Sequence, residues 1–463
     1  MQEQYNNFIL GKLKDKLPPG IPKEYFDGYL NKNLFPYQKL IVEVALTKGR
    51  YLIGAECGLG KTLMQLEWAR VITKYTNKPV LLVAPLGVAK QTAKEEAPKF
   101  GYQVNICRTG ADIVPGINVT NYEMIEHFDG DILGGVVLDE SSILKNFTGT
   151  TRNLLKVIFR NTPYKLCCSA TPAPNEFMEL LNQADFLGIQ ETSKALANFF
   201  INDFKTGQWR LKGHATDAFW QWVCTWAIMM SRPSDIGYSD DEYQLPKLEE
   251  ETHLLEVDIT NVDDSALGLF RDIELSATSY HHEKKLTAPD RVKKVAEIVA
   301  STDEQFIIWC DTNQEADLLK AAIPEAIEVR GSHSPLYKEK AIEGFKTGQI
   351  RILISKASIF GFGMNFQKCH RAVFCGLSYS YEDYYQAIKR IHRYGQEHDV
   401  KIDIVLGETE KNILDTVMAK AARQNEIKNQ MKNSIKDIQI ESLTLSDKKH
   451  TFIEQKIELP SWL

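Results

Sequence analysis

Residues 51–62 read YLIGAECGLGKT. An apolar strand runs into a glycine-rich turn that ends in Gly60-Lys61-Thr62 and opens a helical pattern, LMQLEWARVI. These residue types in this order suit phosphate binding. Gly58 and Gly60 let backbone N–H groups curl around phosphate oxygens, and the helix N-terminus adds its positive dipole end. Lys61 has the reach for β- and γ-phosphates, and the Thr62 hydroxyl can ligate magnesium. The candidate ATP-binding set is therefore Glu56, Cys57, Gly58, Leu59, Gly60, Lys61 and Thr62. Ala55 stands where the strict form of the pattern has Gly.

Two further segments could do chemistry. GVVLDESS (135–142) is an apolar run ending in Asp139-Glu140. In a parallel sheet that pair falls at the C-terminal edge. There Asp139 can hold magnesium, and Glu140 can orient or deprotonate an attacking water. In SYEDYYQAIKRIHRYGQ (380–396), Gln386, Arg390 and Arg393 are spaced i, i+4, i+7. On a helix they form one stripe, which would end at Gly395. By itself such a stripe is as compatible with a solvated face as with a pair of arginines completing a site.

The elements needed to position these groups are visible as apolar runs. From 34 to about 190, strands at 51–55, 80–85, 104–108, 135–140 and 164–170 alternate with amphipathic helices. A second alternation, from about 246 to 420, has strands at 305–310, 326–330, 351–356, 371–376 and 400–406. Such alternation predicts two α/β units with parallel sheets covered on both faces. The expected order is a leader (1–33), a first lobe (34–190), a helical insert or linker (191–245), a second lobe (246–420) and a helical tail (421–463). The insert is rich in Trp, Phe and Met and reads as a unit with its own aromatic core. Stacking of bases on those rings is the other reading. Lys428, Lys432 and Lys436 form a stripe on the tail that reads as a solvated face.

The chain has 463 residues, 43% apolar and 25% charged, which is an ordinary globular composition. With 55 basic and 61 acidic residues the net charge is −6, so nucleic-acid binding would need a local basic groove. Eight cysteines without a CxxC pair read as reduced thiols. The N-terminal segment lacks an apolar core of signal-peptide type, and the longest apolar run, 80–89, is too short to span a membrane. The expected location is cytoplasmic, in a bacterial cell or phage-infected host.

In their order, LFPYQ (34–38), AECGLGKT, LLVAPLGVAKQ, VTNYEMI, LDESSILKN and CSATPAPN resemble the first-lobe motifs of superfamily-two helicases. QAIKRIHRYGQ resembles the last motif of their Swi/Snf-related branch, and SKASIFGFGMNFQ (355–367) the motif before it. Ser142 departs from the His usual there, Thr92 from a common Trp, and Phe360 from a common Gly. The resemblance implies two RecA-like P-loop lobes closing on ATP and magnesium. It assigns Gln38, Gly363 and Gln386 to ATP and Ser169 and Thr171 to coupling. Lys61, Asp139, Glu140, Arg390 and Arg393 are assigned to catalysis, the arginines as fingers. DNA contacts are expected from Pro85, Thr120, Asn121 and Asn365. The implied activity is a DNA-dependent ATPase that translocates on duplex DNA of any sequence, as a monomer. A strand-separating repair helicase, an RNA helicase and an inactive nucleotide-dependent clamp are the alternatives.

Overall fold

The computed structural model describes residues 19–146, 149–174, 176–202, 209–241, 243–256, 277–360 and 365–422, with 425 and 429. The lysine stripe of the tail, most of the leader, and Gly363 lie outside them.

The first lobe is a seven-stranded sheet in the order β3-β4-β2-β5-β6-β1-β9, parallel throughout. Its strands are β1 (Arg50–Ala55), β2 (Val80–Ala84), β3 (Val104–Ile106), β4 (Ile117–Asn121), β5 (Gly135–Asp139), β6 (Tyr164–Ser169) and β9 (Ala227–Met230). The hairpin β7 (Phe200–Asn202) with β8 (Trp209–Leu211) lies apart from it. Successive side chains of a strand point to opposite faces, so a sheet covered on both sides needs apolar residues at every position. Ile53, Leu82, Val137 and Leu166 pack on one face with Ile41, Leu66 and Trp68. Leu52, Leu81, Leu138 and Cys167 pack on the other with Leu144, Leu180 and Phe219.

The second lobe is a six-stranded parallel sheet in the order β10-β15-β14-β11-β13-β12. Its strands are β10 (Leu248–Leu255), β11 (Phe306–Cys310), β12 (Ile327–Val329), β13 (Ile352–Lys356), β14 (Arg371–Cys375) and β15 (Val400–Gly407). Arg291 is sealed beneath this sheet, paired with Glu315 at 2.8 Å and Glu410 at 3.0 Å, all three essentially without solvent contact.

The ten expected strands all form, with ends shifted by one or two residues. Besides the hairpin β7–β8, three others were not expected. INVTN and AIMM are short and carry no alternation, and LEEETHLL is a charged edge strand with an exposed face. The second of these corrects the reading of the insert. Its last strand, β9, pairs with β1 as the edge of the first sheet. Its Phe219, Trp220 and Trp226 join the first lobe's core rather than forming a separate one.

The lobes touch across the cleft between them, at the loops that carry the motifs and also where Lys90 pairs with Glu339, and Glu95 with Lys346 at 2.8 Å. Both pairs join the segment after β2 to the helix Pro335–Thr347, and ascending positions on one meet ascending positions on the other, so the two run side by side in the same direction.

Candidate ATP site in the interlobe cleft

Strand order sets the site. Because β6 lies between β1 and β5, the ends of all three strands stand side by side: Gly54 is in register with Ser169, and Asp139 with Cys168. The glycine-rich loop, the Ser169–Thr171 turn and the Asp139-Glu140 pair thus emerge along one edge.

The loop needs its glycines. Gly58 has φ +88° and Gly60 φ +78°, a region costly for residues with a Cβ. A Cβ on Gly60 would also come within 2.2 Å of the Gln38 amide nitrogen. Gln38 is buried, and both ends of its amide are engaged: it donates to the Leu59 carbonyl at 3.0 Å and accepts from the Phe35 N–H at 3.0 Å. It therefore shapes the loop, a role its expected assignment to ATP did not foresee. Beside it opens a cavity of about 230 Å³ lined by Phe35, Tyr37, Gly58, Tyr238, Tyr243 and Tyr394.

Lys61 begins the helix Lys61–Thr76, and Thr62 follows it, half-buried. Lys61 donates to the carbonyls of Ala55 at 2.9 Å and Glu56 at 3.3 Å. Burial works against its charge, but Cys57, Glu140, Asp139 and Glu56 around it hold its pKa above the ordinary lysine value. One turn on, Gln65 donates to Asp139 at 2.7 Å, a link foreshadowed only by its i+4 spacing from Lys61. Burial raises the Asp139 pKa, opposed by that hydrogen bond and by Lys61.

Glu140 adopts φ +53°, ψ +52°, a left-handed conformation rare for a side-chain-bearing residue. Strain of this kind concentrates at functional sites. Its Oε2 is buried without a hydrogen-bond partner among the described residues. Burial lifts its pKa to about 6; Asp139 and Glu382 add to the rise, and Lys61 and Arg390 oppose it. A raised, unpartnered carboxylate beside a second carboxylate and a lysine suits a base that receives a proton or holds a water.

The second lobe contributes from β14. The helix Tyr381–Ile388 ends before Arg390, so the expected single stripe is not one helix. Turn hydrogen bonds continue from Ile388 to Gln396, with Gly395 at φ +87°. Gln386 and Arg390 are nonetheless together: the Arg390 guanidinium donates to the Gln386 side chain and, at 3.0 Å, to its carbonyl. Arg390 is buried, which lowers its pKa, and the charges that oppose this are Cys57, Glu140 and Asp139 of the first lobe. Arg393 is lowered by burial and by Arg390 beside it. Across the cleft, Tyr385 bonds the Glu56 carboxylate; Tyr243, packed on the first lobe's own core, donates to the Cys57 carbonyl at 2.8 Å. These tyrosines had no spacing signal in the sequence.

Ser169 accepts from the Thr171 N–H at 3.1 Å, and the Thr171 hydroxyl is buried without a partner among the described residues. The expected DNA contacts fare differently. Pro85 precedes the helix Leu86–Gln91, Asn121 caps the turn Tyr122–His127, and Asn365 is half-buried beside Gln367. Thr120 is corrected: its side chain is 1% exposed within the sheet, its hydroxyl sealed, and it is not available to a ligand at the surface. Among the described residues, no helix is long and apolar enough to cross a membrane.

Residues 59–258 match the family model of the SNF2-related domain, and residues 290–395 that of the helicase conserved C-terminal domain. "Putative protein p41" of Acyrthosiphon pisum secondary endosymbiont phage 1 is 29% identical over 192 residues, 36% of this chain and 42% of that protein. "DNA annealing helicase and endonuclease ZRANB3" of Bos taurus is 21% identical over 445 residues, 85% of this chain and 40% of that protein. The chain thus spans less than half the length of these curated relatives. A solved structure, "Sulfolobus solfataricus SWI2/SNF2 ATPase core in complex with dsDNA", is 17% identical and covers 89% of this chain and 97% of that one, with a TM-score of 0.41, too low to argue from. With one family domain on each sheet, in the order the motifs require, the chain belongs to the SNF2-related branch of the superfamily-two helicases, a class of ATP-hydrolysing enzymes.

Proposed function

We propose that this chain hydrolyses ATP between its lobes and uses the closing and opening of the cleft to move along duplex DNA. The observation that carries this is the meeting of Lys61, Asp139 and Glu140 from one lobe with the charge of Arg390 from the other. The residues present fit magnesium: Asp139 and Thr62 would hold it, and Glu140 beside Asp139 has one buried oxygen without a partner among the described residues. When bound, magnesium neutralises charge on the phosphates. Lys61 steadies the β- and γ-phosphates, Glu140 takes the proton of the attacking water, and Arg390 and Arg393 offset charge on the departing γ-phosphate. The adenine would lie in the aromatic cavity beside Gln38.

Movement follows if ATP favours the closed cleft and its hydrolysis products the open one. DNA would be held by its phosphates, without sequence preference. The SNF2-related domain supports duplex DNA as the track, and the phage-encoded relative supports a cytoplasmic setting in a bacterial cell or phage-infected host.

The test compares ATP turnover with no nucleic acid, single-stranded DNA, duplex DNA and RNA. Duplex DNA of any sequence should stimulate most, and stimulation should fall as salt rises. Stimulation by RNA alone would overturn the choice of track. Product strands released from a forked duplex would favour the strand-separating reading over plain translocation.

A further inference from the structure

Glu140 opens a short 3-10 turn, Ser141–Lys145. Its left-handed backbone is costly, so the rest of the turn must be held for the carboxylate to stay where it is. Within the first lobe, Gln183 donates to the Ser141 carbonyl at 2.8 Å, and Asn182 to those of Leu144 at 2.9 Å and Lys145 at 3.1 Å. The side chains of the same turn are held from the other lobe. Glu382, in the first turn of the helix Tyr381–Ile388, accepts from the Ser142 hydroxyl at 3.4 Å and pairs with Lys145. That helix leads directly to Arg390 and Arg393. One carboxylate therefore touches the turn that carries the catalytic base and belongs to the helix that leads to the arginines.

We infer that Glu382 is a positioning residue that couples closure of the cleft to the alignment of Glu140, through Ser142 and Lys145. The inference rests on the hydrolysis proposed above. Two observations separate this contact from an ordinary surface pair. Glu382 is 16% exposed, so its carboxylate is sheltered in the cleft although Lys145, at 37%, reaches solvent. And Glu382 spans the two lobes with both carboxylate oxygens, each on a different residue of the same turn. When the lobes part, both contacts are lost together and the turn keeps only its first-lobe bonds.

The experiment uses the full chain with duplex DNA and saturating ATP. Glu382→Gln and Lys145→Glu should each lower kcat on the order of tenfold, the scale of coupling between residues in contact, with KM for ATP little changed. The double reversal Glu382→Lys with Lys145→Glu should recover most of kcat. Unchanged kcat in Glu382→Gln overturns the inference. So does a loss of kcat with no recovery in the double reversal, because that pattern marks a merely structural contact. An unmutated chain without ATP turnover would instead sink the proposed activity.

Discussion

The first lobe delivers its charged groups straight from strand ends: Lys61 one short loop after β1, Asp139 as the last residue of β5, Ser169 as the last of β6. The second lobe delivers Arg390 and Arg393 from a run of turns beyond a helix that has already ended. A strand end is fixed by hydrogen bonds on both sides, whereas a turn is fixed by whatever it packs against. The first half of the site is therefore built by its own fold. The second half depends on Gln386, Tyr385 and Glu382 and on the opposite lobe being near. Binding should belong to the first lobe and turnover to the closed pair.

The strongest way to break this comparison is Arg393→Ala. Loss of an arginine finger costs about 10³–10⁵ in rate, and the variant should still bind ATP because the loop of the first lobe is untouched. Arg393→Lys should fare nearly as badly, lacking the planar fork. Lys61→Ala should lose binding and turnover together. Equal loss of ATP affinity in Arg393→Ala and Lys61→Ala would erase the division between lobes.

The lobes also differ in how they bury a cation. Arg291 sits between Glu315 and Glu410, while Lys165 has, among the described residues, only the Phe186 carbonyl at 3.1 Å and that residue's ring, with Asp185 farther off. Removing one partner of a buried ion pair strands the others, at about 3–5 kcal/mol. Arg291→Met should cost that much in denaturant unfolding, with the loss confined to the second lobe's transition. A loss below about 1 kcal/mol would mean that the two carboxylates find other partners.

Turnover supplies a milder test. Glu140 must be ionised to accept a proton, so kcat should fall as pH drops through about 6. Glu140→Gln should abolish this limb and hold ATP without hydrolysing it. A wild-type profile flat down to pH 5 would remove Glu140 from the role of base.

The smallest effect concerns Lys165, whose pKa burial lowers to about 7. Above that pH the folded lysine is mostly neutral while the unfolded one still holds its proton, up to about 10.5. The unfolded state binds more protons in this window, so this group makes stability rise with pH, by at most about 1.4 kcal/mol per unit. Lys165→Met should flatten that rise when unfolding is compared at pH 7 and pH 9. An identical pH dependence in both proteins would show the lysine to be charged and paired.

Much of this was legible in the sequence because doubly covered parallel strands need unbroken apolar runs, and motif residues sit where such runs stop. Lys61, Asp139 and Glu140 were findable on that basis, and Arg390 through its spacing from Gln386 and the motif it resembles. β9 was not, because AIMM lies in an aromatic segment whose burial has several explanations, and β10 was not, because Glu249–Glu251 look like a solvated loop. The end of the arginine helix was hidden since Lys389–His392 has ordinary helix formers and the chain leaves the helix for tertiary reasons. Glu382 and Tyr385 act across the cleft, and contacts between lobes leave no periodic trace in either one.

The ion pairs Lys90–Glu339 and Glu95–Lys346 have partners with up to 44% exposure, whereas Tyr385 and Glu56, bonded across the nucleotide site, are half-buried. Exposed pairs contribute little and are screened by salt. The cleft is thus fastened unequally. Raising ionic strength should loosen the exposed ion pairs first, so the resting gape of the molecule becomes a function of salt even before any DNA is present.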